Sequence, residues 1–166
     1  MAAASRRAGT LTRRTERLSY VNIPKKNHTR MQKRLGDLLS GAGGQQWVTL
    51  IELPFVPAPS RDASLMTADV AVVGVKRWST DEDWLTGSPE LVIEVLASEN
   101  TASEMLDRER TCFRGGCREF WEVDPDRRLL RVTHKDGKSA TYGDGDRVPV
   151  ALFGSVTISV EEIFSS

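Results

Sequence analysis

Apolar positions in this chain follow a helical period in some segments and a strand period in others. From Asn27 to Ser40 they recur every three or four residues, which predicts a helix with Asn27 as its N-cap and Gly41 as its end. The core stripe of this helix comprises Met31, Leu35, Leu38 and Leu39. A second helix is predicted over residues 101–114, where two glycines follow.

Shorter apolar runs predict the strands. They cover residues 17–21, 47–56, 65–73, 91–96, 120–123 and 156–160, and a hairpin pairs 129–133 with 138–142 across Asp136-Gly137. Pro54 marks the second run as an edge or bent strand. Residues 74–88 are predicted to form a long acidic loop, and residues 161–164 a short helix. This alternating order predicts an α/β fold, with a mixed sheet flanked by helices.

A glutamate interrupts the most apolar of these runs, Leu91-Val92-Ile93-Glu94-Val95-Leu96. In a strand, Glu94 shares a face with Val92 and Leu96, whereas Leu91, Ile93 and Val95 lie on the other face. An ionised carboxylate in a core costs several kcal/mol unless it has a partner. Glu94 is therefore expected to be neutralised, paired or bound to a metal ion.

A second acid, Asp69, stands at the entry of the strand at 65–73. If the two strands are neighbours, Asp69 and Glu94 could supply the oxygen ligands that Mg²⁺ prefers. The pattern is weak by itself, because the chain has 23 acidic residues and a strand-edge Asp is often a turn former. Surface acids and one internal ion pair are the alternative.

Composition bounds the class of protein. A length of 166 residues, with 39% hydrophobic and 28% charged residues, predicts one globular domain over residues 18–166. The start of the chain shows no apolar signal segment, and a cytoplasmic location is expected. Net charge is zero, but residues 1–35 hold ten Lys and Arg and one acid. Residues 1–17 are predicted to be a disordered basic tail, with a polyanion partner as the other interpretation.

Three stretches of the chain carry a resemblance to a known family. They are Ala68-Asp69-Val70-Ala71-Val72-Val73, Ser88-Pro89-Glu90-Leu91-Val92-Ile93-Glu94-Val95-Leu96 and Gly116-Cys117-Arg118-Glu119-Phe120-Trp121-Glu122-Val123-Asp124-Pro125. They resemble the Uma-type putative restriction endonuclease family, a bacterial branch of the PD-(D/E)xK nuclease superfamily. The similarity covers about residues 18–164, including the first helix with His28 and Gln32.

The resemblance implies a restriction-endonuclease-like core with a C-terminal β-hairpin and a metal site at one edge of the sheet. Asp69 and Glu94 fall on the family's metal-binding acids, and the backbone carbonyl of Val95 completes the protein ligands of Mg²⁺ or Mn²⁺. The superfamily's usual lysine position holds Leu96. In this branch the lysine moves to the next helix, where the matching residue is Arg108.

Arginine differs from lysine at such a position, because it cannot lose its proton and cannot act as a general base. It could stabilise a pentavalent phosphate, and the alternative for Arg108 is a helix pair with Glu104 or a surface charge. Two other positions depart from the family: Ala68 replaces a proline, and Arg17 replaces a glutamate.

Further candidates surround this core set. Glu52 is a possible additional acid, or an outward residue of a half-exposed strand, and His28 is a possible phosphate contact, or a capping or surface residue. A cluster of cations forms the candidate DNA contact, with a solvated helical face as the alternative: Lys25, Lys26, Arg30, Lys33 and Arg34. Cutting both strands of a duplex favours a homodimer.

Two hypotheses follow from these residues. The first is a metal-dependent DNA endonuclease that hydrolyses phosphodiester bonds with Asp69, Glu94 and Arg108. The second is a catalytically weakened or inactive protein of the same fold that binds nucleic acid or a protein partner. Saturable binding of Mg²⁺ or Mn²⁺ separates the two hypotheses.

Overall fold

Four helices are present in the computed structural model, which describes residues 26–58, 64–80 and 83–165. They are α1 (Lys26–Gly43), α2 (Val75–Trp78), α3 (Ala102–Arg114) and α4 (Val160–Phe164). The predicted tail at 1–17, the predicted strand at 17–21 and Lys25 lie outside the described residues. None of the described helices is long and apolar enough to cross a bilayer.

A seven-stranded mixed sheet and a separate two-stranded sheet complete the fold. The strands are β1 (Trp47–Val56), β2 (Met66–Gly74), β3 (Leu85–Thr86), β4 (Leu91–Val95), β5 (Glu119–Asp124), β6 (Leu129–His134), β7 (Ser139–Tyr142), β8 (Arg147–Pro149) and β9 (Thr157–Ser159). The order in the large sheet is β3-β1-β2-β4-β5-β6-β7, in which β4 and β5 are parallel and β2 and β4 antiparallel. The predicted mixed sheet flanked by helices is confirmed.

The first helix ends later than predicted. Gly41 was expected to stop it, but α1 continues to Gly43 and a 3₁₀ turn follows at Gly44–Gln46. The reason is that the chain first adopts the left-handed conformation at Gly44, whose φ is +64°. The helix also begins one residue before Asn27, so Asn27 lies in the first turn and is not the N-cap. The predicted core stripe is correct, with Leu35 and Leu39 fully buried.

Strand β1 follows the predicted bounds and lies almost at the edge of the sheet. Its outer neighbour β3 pairs with Phe55 and Val56 alone, so Pro54 removes no hydrogen bond from that side. Residues 74–88 were expected to form one loop. The structure instead places α2 and the short strand β3 within this segment, because Arg77 donates to the carbonyls of Thr86 and Ser88 and forms an ion pair with Glu90.

Each face of the large sheet is covered by its own helix. On one face, α1 packs Leu35 and Leu39 with alternate residues of β4, Leu91, Ile93 and Val95. On the other face, α3 packs Met105 and Cys112 against Val92 and Phe120. This division confirms the period-two interpretation of β4, in which Glu94 follows Val92 to the α3 side. Thr101 begins α3 with a capping box made with Glu104.

The C-terminal part of the chain contains the predicted hairpin of β6 and β7, which extends the large sheet. It also contains a strand that the sequence pattern did not reveal. Strand β8 is three residues long and ends in Pro149, so it carries too few positions for a period to be recognised. It pairs with β9 and forms the small sheet against the α1 face.

A buried carboxylate joins this C-terminal part to the large sheet. Glu119 is 1% exposed, and its oxygens accept hydrogen bonds from the backbone N–H of Leu152 (2.6 Å) and from Trp121 Nε1 (3.1 Å). Burial raises the pKa of Glu119. The carboxylate thus satisfies one buried donor, Trp121 Nε1, and one partly buried donor, the N–H of Leu152.

Replacing Glu119 by alanine is expected to lower the free energy of unfolding by about 2–4 kcal/mol, because it removes the acceptor of the buried Trp121 N–H and of the Leu152 N–H and leaves a cavity beside Trp121. Urea denaturation measures this loss. The exposed strand substitution Ser139→Ala serves as the control, with an expected change within about 0.5 kcal/mol. Equal stability of the two variants would contradict the role assigned to the carboxylate.

Candidate metal centre

A row of charged residues crosses the large sheet from β1 to β6. The register places Glu52 of β1 opposite Asp69 of β2, because Ile51 pairs with Val70 and Leu53 with Ala68. Continuing the β2–β4 register one step beyond Val70 and Ile93 places Asp69 opposite Glu94. Glu94 pairs in turn with Glu122 of β5, and Glu122 with Arg131 of β6. Directly opposite residues in regular strands have Cβ atoms about 5 Å apart, so the register brings each acid of this row near its neighbour on the next strand.

Asp69 lies where β2 and β4 stop pairing as a ladder. Its Oδ2 accepts a hydrogen bond of 2.7 Å from the backbone N–H of Val95. The carboxylate therefore satisfies a strand donor that would otherwise need a carbonyl partner. The regular pairing ends at Val70 and Ile93, and beyond it this hydrogen bond holds the Asp69 carboxylate at the backbone that follows Glu94.

Glu94 is buried and turned towards α3. Its Oε1 lies 2.8 Å from Arg108 Nε, and the two side chains form an ion pair. Arg108 also donates through Nη2 to the carbonyl of Thr67, beside Asp69. The helix cation thus bridges β2 and β4 across the separation between them.

The pKa of Glu94 is raised from 4.5 to about 8. The largest cause is burial, which disfavours the charged carboxylate, and the neighbouring charges of Asp69 and Glu52 raise the pKa further. The charge of Arg108 lowers it but does not offset the burial. A carboxylate in this environment is stabilised by an additional positive charge.

Glu52 and His28 approach Asp69 from the other side. Among the described residues, His28, Glu52 and Asp69 have ligand atoms that all lie within 4.8 Å of one another, and His28 Nε2 is 3.2 Å from Asp69 Oδ2. Glu52 has a φ of +53°, a conformation that costs a residue with a side chain about 1–3 kcal/mol. Glu52 is exposed in β1, as expected of an outward strand residue, and its carboxylate also lies beside Asp69.

Gln32 belongs to the centre, although from the sequence it was named only as part of the first helix and was given no role in the site. It is 2% exposed, and its Nε2 donates to Asp69 Oδ1 at 2.9 Å and to Glu52 Oε1. The available signal was its position one helical turn after His28, which places both side chains on one face of α1. The apolar stripe of that helix hid it, since a polar residue at its margin usually faces solvent.

A cavity of about 440 Å³ joins these groups. Its walls include His28, Glu52, Asp69, Glu94 and Arg108, together with Val95 and Leu96. Pro125 and Asp126, which follow β5, form part of the rim. Leu96, the residue after Val95, is thus an apolar part of the cavity wall.

The candidate cations of α1 lie on a different surface. Lys26, Arg30 and Lys33 are exposed, and helical geometry places them roughly opposite His28 and Gln32. Lys33 forms an ion pair with Asp37, and Arg34 donates to the carbonyl of Glu162 and to Ser165. The structure therefore brings Glu52 and His28 to Asp69 and Glu94, but not the cations of α1.

The donor set fits a divalent cation with a preference for oxygen. Glu52, Asp69, Glu94 and the carbonyl of Val95 offer hard oxygen ligands, and Glu94 is buried. The nitrogen of His28 suits Mn²⁺ better than Mg²⁺. Three carboxylates and one arginine leave a net negative charge that a divalent ion offsets.

Solved structures show a likeness in fold. The chain is similar to the crystal structure of a putative nuclease belonging to DUF820 from Anabaena variabilis ATCC 29413, with a TM-score of 0.73. The similarity covers 86% of this chain and 83% of that chain, at 18% sequence identity. At this identity it shows the fold alone, and it confirms the nuclease-type core predicted from the sequence. No curated protein matches the chain.

Family membership follows from the sequence. The model of the Uma2 family, described as "Putative restriction endonuclease", matches residues 14–161. The match contains all the strands of the charged row, helix α3 and the C-terminal hairpin. The chain therefore belongs to the Uma2 family of putative restriction endonucleases, as its motifs predicted.

Proposed function

We propose that this protein is a metal-dependent endonuclease that hydrolyses phosphodiester bonds in DNA. Asp69, Glu94 and the carbonyl oxygen of Val95 would hold Mg²⁺ or Mn²⁺. The observation that carries the proposal is the meeting of Asp69 and Glu94 at the separation between β2 and β4, in a cavity where burial raises the pKa of Glu94 to about 8. A cation bound here would stabilise the ionised form of Glu94, which burial and the charges of Asp69 and Glu52 disfavour.

When bound, the ion lowers the pKa of a coordinated water and offsets charge on the phosphate. The side chains of the protein would orient the ligands and the phosphate. Asp69 is fixed by the N–H of Val95, so its second oxygen keeps a defined direction. Glu52 adds a further acid, and His28 lies where it can donate to a phosphate oxygen. Leu96 and Met105 keep part of the cavity wall apolar.

Arg108 stands in for the usual lysine in this proposal. Its guanidinium is permanently charged, so its role is to stabilise the extra negative charge on the phosphate rather than to remove a proton from water. Its position between Glu94 and the Thr67 carbonyl supports this role, because one helix residue then touches both acid-bearing strands.

DNA is the proposed substrate, and its backbone beyond the cut would contact the cationic face of α1. The candidates on this helix are Lys26, Arg30, Lys33 and Arg34, and Lys25, which lies outside the described residues, precedes them in the sequence. The cavity itself is acidic, so attraction of the duplex must come from outside it. A symmetric dimer would place two such centres on opposite strands.

The second candidate function is a nuclease-fold protein with weakened or lost catalysis that binds nucleic acid or a protein. It is favoured by one observation. Arg108, which cannot accept a proton, already forms an ion pair with Glu94. In such a protein the arginine would neutralise the buried acid in place of a metal ion.

Mn²⁺ titration calorimetry on the metal-free protein, followed by a plasmid-nicking assay, tests the proposal. We expect saturable Mn²⁺ binding and metal-dependent nicking in the wild type, and at least a hundredfold loss of nicking in Asp69→Asn, which keeps the shape of the side chain but removes its charge. Asp37→Asn on the exposed face of α1 is the matched control. Binding without nicking would support the second candidate, and no binding would overturn the metal-dependent enzyme.

A further inference from the structure

Gln32 occupies an unusual place for a neutral side chain. It is 2% exposed and reaches from α1 into the gap between two acids on adjacent strands. One nitrogen, Nε2, donates to Asp69 Oδ1 and to Glu52 Oε1. Since both partners are acceptors, the amide must present its NH₂ group, and the two hydrogens of that group serve one carboxylate each.

We infer that Gln32 is a positioning residue, which sets the separation and orientation of the Asp69 and Glu52 carboxylates so that they can receive a divalent cation. The inference rests on the proposed function, because it assigns to Gln32 the orientation of acids that would bind the metal ion. Gln32 acts on the cation through these acids and is not itself a ligand.

The neutrality of the amide is the central point of this argument. A lysine or arginine at this place would cancel the charge of a carboxylate and compete with a metal ion for its oxygens. An acid would repel both carboxylates in the metal-free protein. A glutamine amide donates twice without adding a charge, so the acids keep their full attraction for a cation.

The geometry of Asp69 shows how the positioning works. Three groups fix its carboxylate: Gln32 at Oδ1, and the Val95 N–H and His28 at Oδ2. Without Gln32, Oδ1 loses its donor and the repulsion between Asp69 and Glu52 is no longer offset. Donors behind metal-binding side chains commonly affect metal affinity by about tenfold to a hundredfold.

The test measures the rise in melting temperature that Mn²⁺ causes in the wild type, Gln32→Met and Gln32→Glu. Gln32→Met keeps the size of the side chain but has no donor, so we expect Mn²⁺ to bind about tenfold more weakly and to stabilise it less. Gln32→Glu replaces the donor with a carboxylate beside those of Asp69 and Glu52. We expect it to melt lower without metal and to be stabilised by Mn²⁺ more than the wild type.

Stabilisation by Mn²⁺ should decrease in Gln32→Met and increase in Gln32→Glu. These opposite effects distinguish a positioning role of Gln32 from a packing role. Leu35→Met, which is fully buried one turn further along α1, is the control for disturbance of the helix and should respond to Mn²⁺ like the wild type. Equal Mn²⁺-induced shifts in the wild type and both Gln32 variants would overturn the inference and leave the metal centre standing. A wild type that shows no shift would overturn the inference together with the proposed function. If Gln32→Met does not fold, Gln32→Glu is compared with the wild type alone. Stabilisation by Mn²⁺ that is no greater than in the wild type would then overturn the inference.

Discussion

Replacing Glu94 by glutamine is expected to abolish divalent-cation binding and nicking, and at the same time to stabilise the metal-free protein at alkaline pH. The first effect follows from the loss of a ligand charge. The second follows from burial, because glutamine fills the same space without the cost of an ionised carboxylate in the core. A gain in stability combined with a loss of function is the signature of a binding site.

The pH dependence of this effect has a defined sign. Glu94 has a pKa of about 8 in the folded protein and a usual value of 4.5. The folded state therefore binds a proton more tightly than the unfolded state does, and the free energy of unfolding decreases as the pH rises from about 4.5 to about 8. Glutamine cannot ionise, so its advantage is absent at pH 4 and reaches the order of a few kcal/mol above pH 8.

Urea denaturation in EDTA at pH 4.5, 6.5 and 8.5 measures this difference, and Mn²⁺ titration of the same samples measures binding. Glu161→Gln, an exposed acid in α4, is the matched control and should change neither quantity. Cation binding by the wild type below pH 8 should also release a proton, which calorimetry in two buffers detects. A Glu94→Gln protein that is less stable than the wild type at pH 8.5 would mean that the carboxylate is structural.

Replacing Arg108 is expected to change the rate of nicking in opposite directions, depending on the substitute. Arg108→Met removes the positive charge at the phosphate and should slow nicking about a hundredfold. Arg108→Lys retains the charge and introduces a group that can lose its proton in a desolvated site, so we expect faster turnover. The increase should be confined to alkaline pH, where lysine begins to deprotonate.

Single-turnover nicking rates between pH 6 and 10, at saturating Mn²⁺, measure both effects. Arg110 lies two residues further along α3 and is exposed, so Arg110→Met and Arg110→Lys are the matched controls. If Arg108→Lys is slower than the wild type at every pH, arginine supports nicking better than lysine at this position. Its forked contact with Glu94 and the Thr67 carbonyl would then be the reason.

The sequence pattern predicted the centre of the site better than its surroundings. The six-residue run around Glu94 has a clear period of two, so its burial and its face could be predicted, and Asp69 was identified by its place at a strand entry. The pairing of β2 with β4 could not be predicted, because residues 75–90 lie between the two strands and no local pattern shows which strands become neighbours.

The surroundings depend on contacts between distant elements. Gln32 reaches its partners because α1 packs on the β1–β2 face, and the helix period does not reveal which face that is. The positive φ of Glu52 could not be predicted, because Glu52 lies within a run of residues that favour a regular strand. Gly41 was a reasonable end for α1, but a glycine ends a helix only where the chain turns left-handed, and this occurs three residues later.

Strand β4 is apolar on both faces, so burial alone would be nearly as well satisfied if it slid by one residue along its neighbours. Such a slip would move Glu94 away from Arg108 and carry a carboxylate into the layer beneath α1. The charged row across the sheet thus penalises misaligned folding. Replacing all its acids with aliphatic residues should give a tighter but less uniquely folded protein, prone to aggregate through mispaired strands.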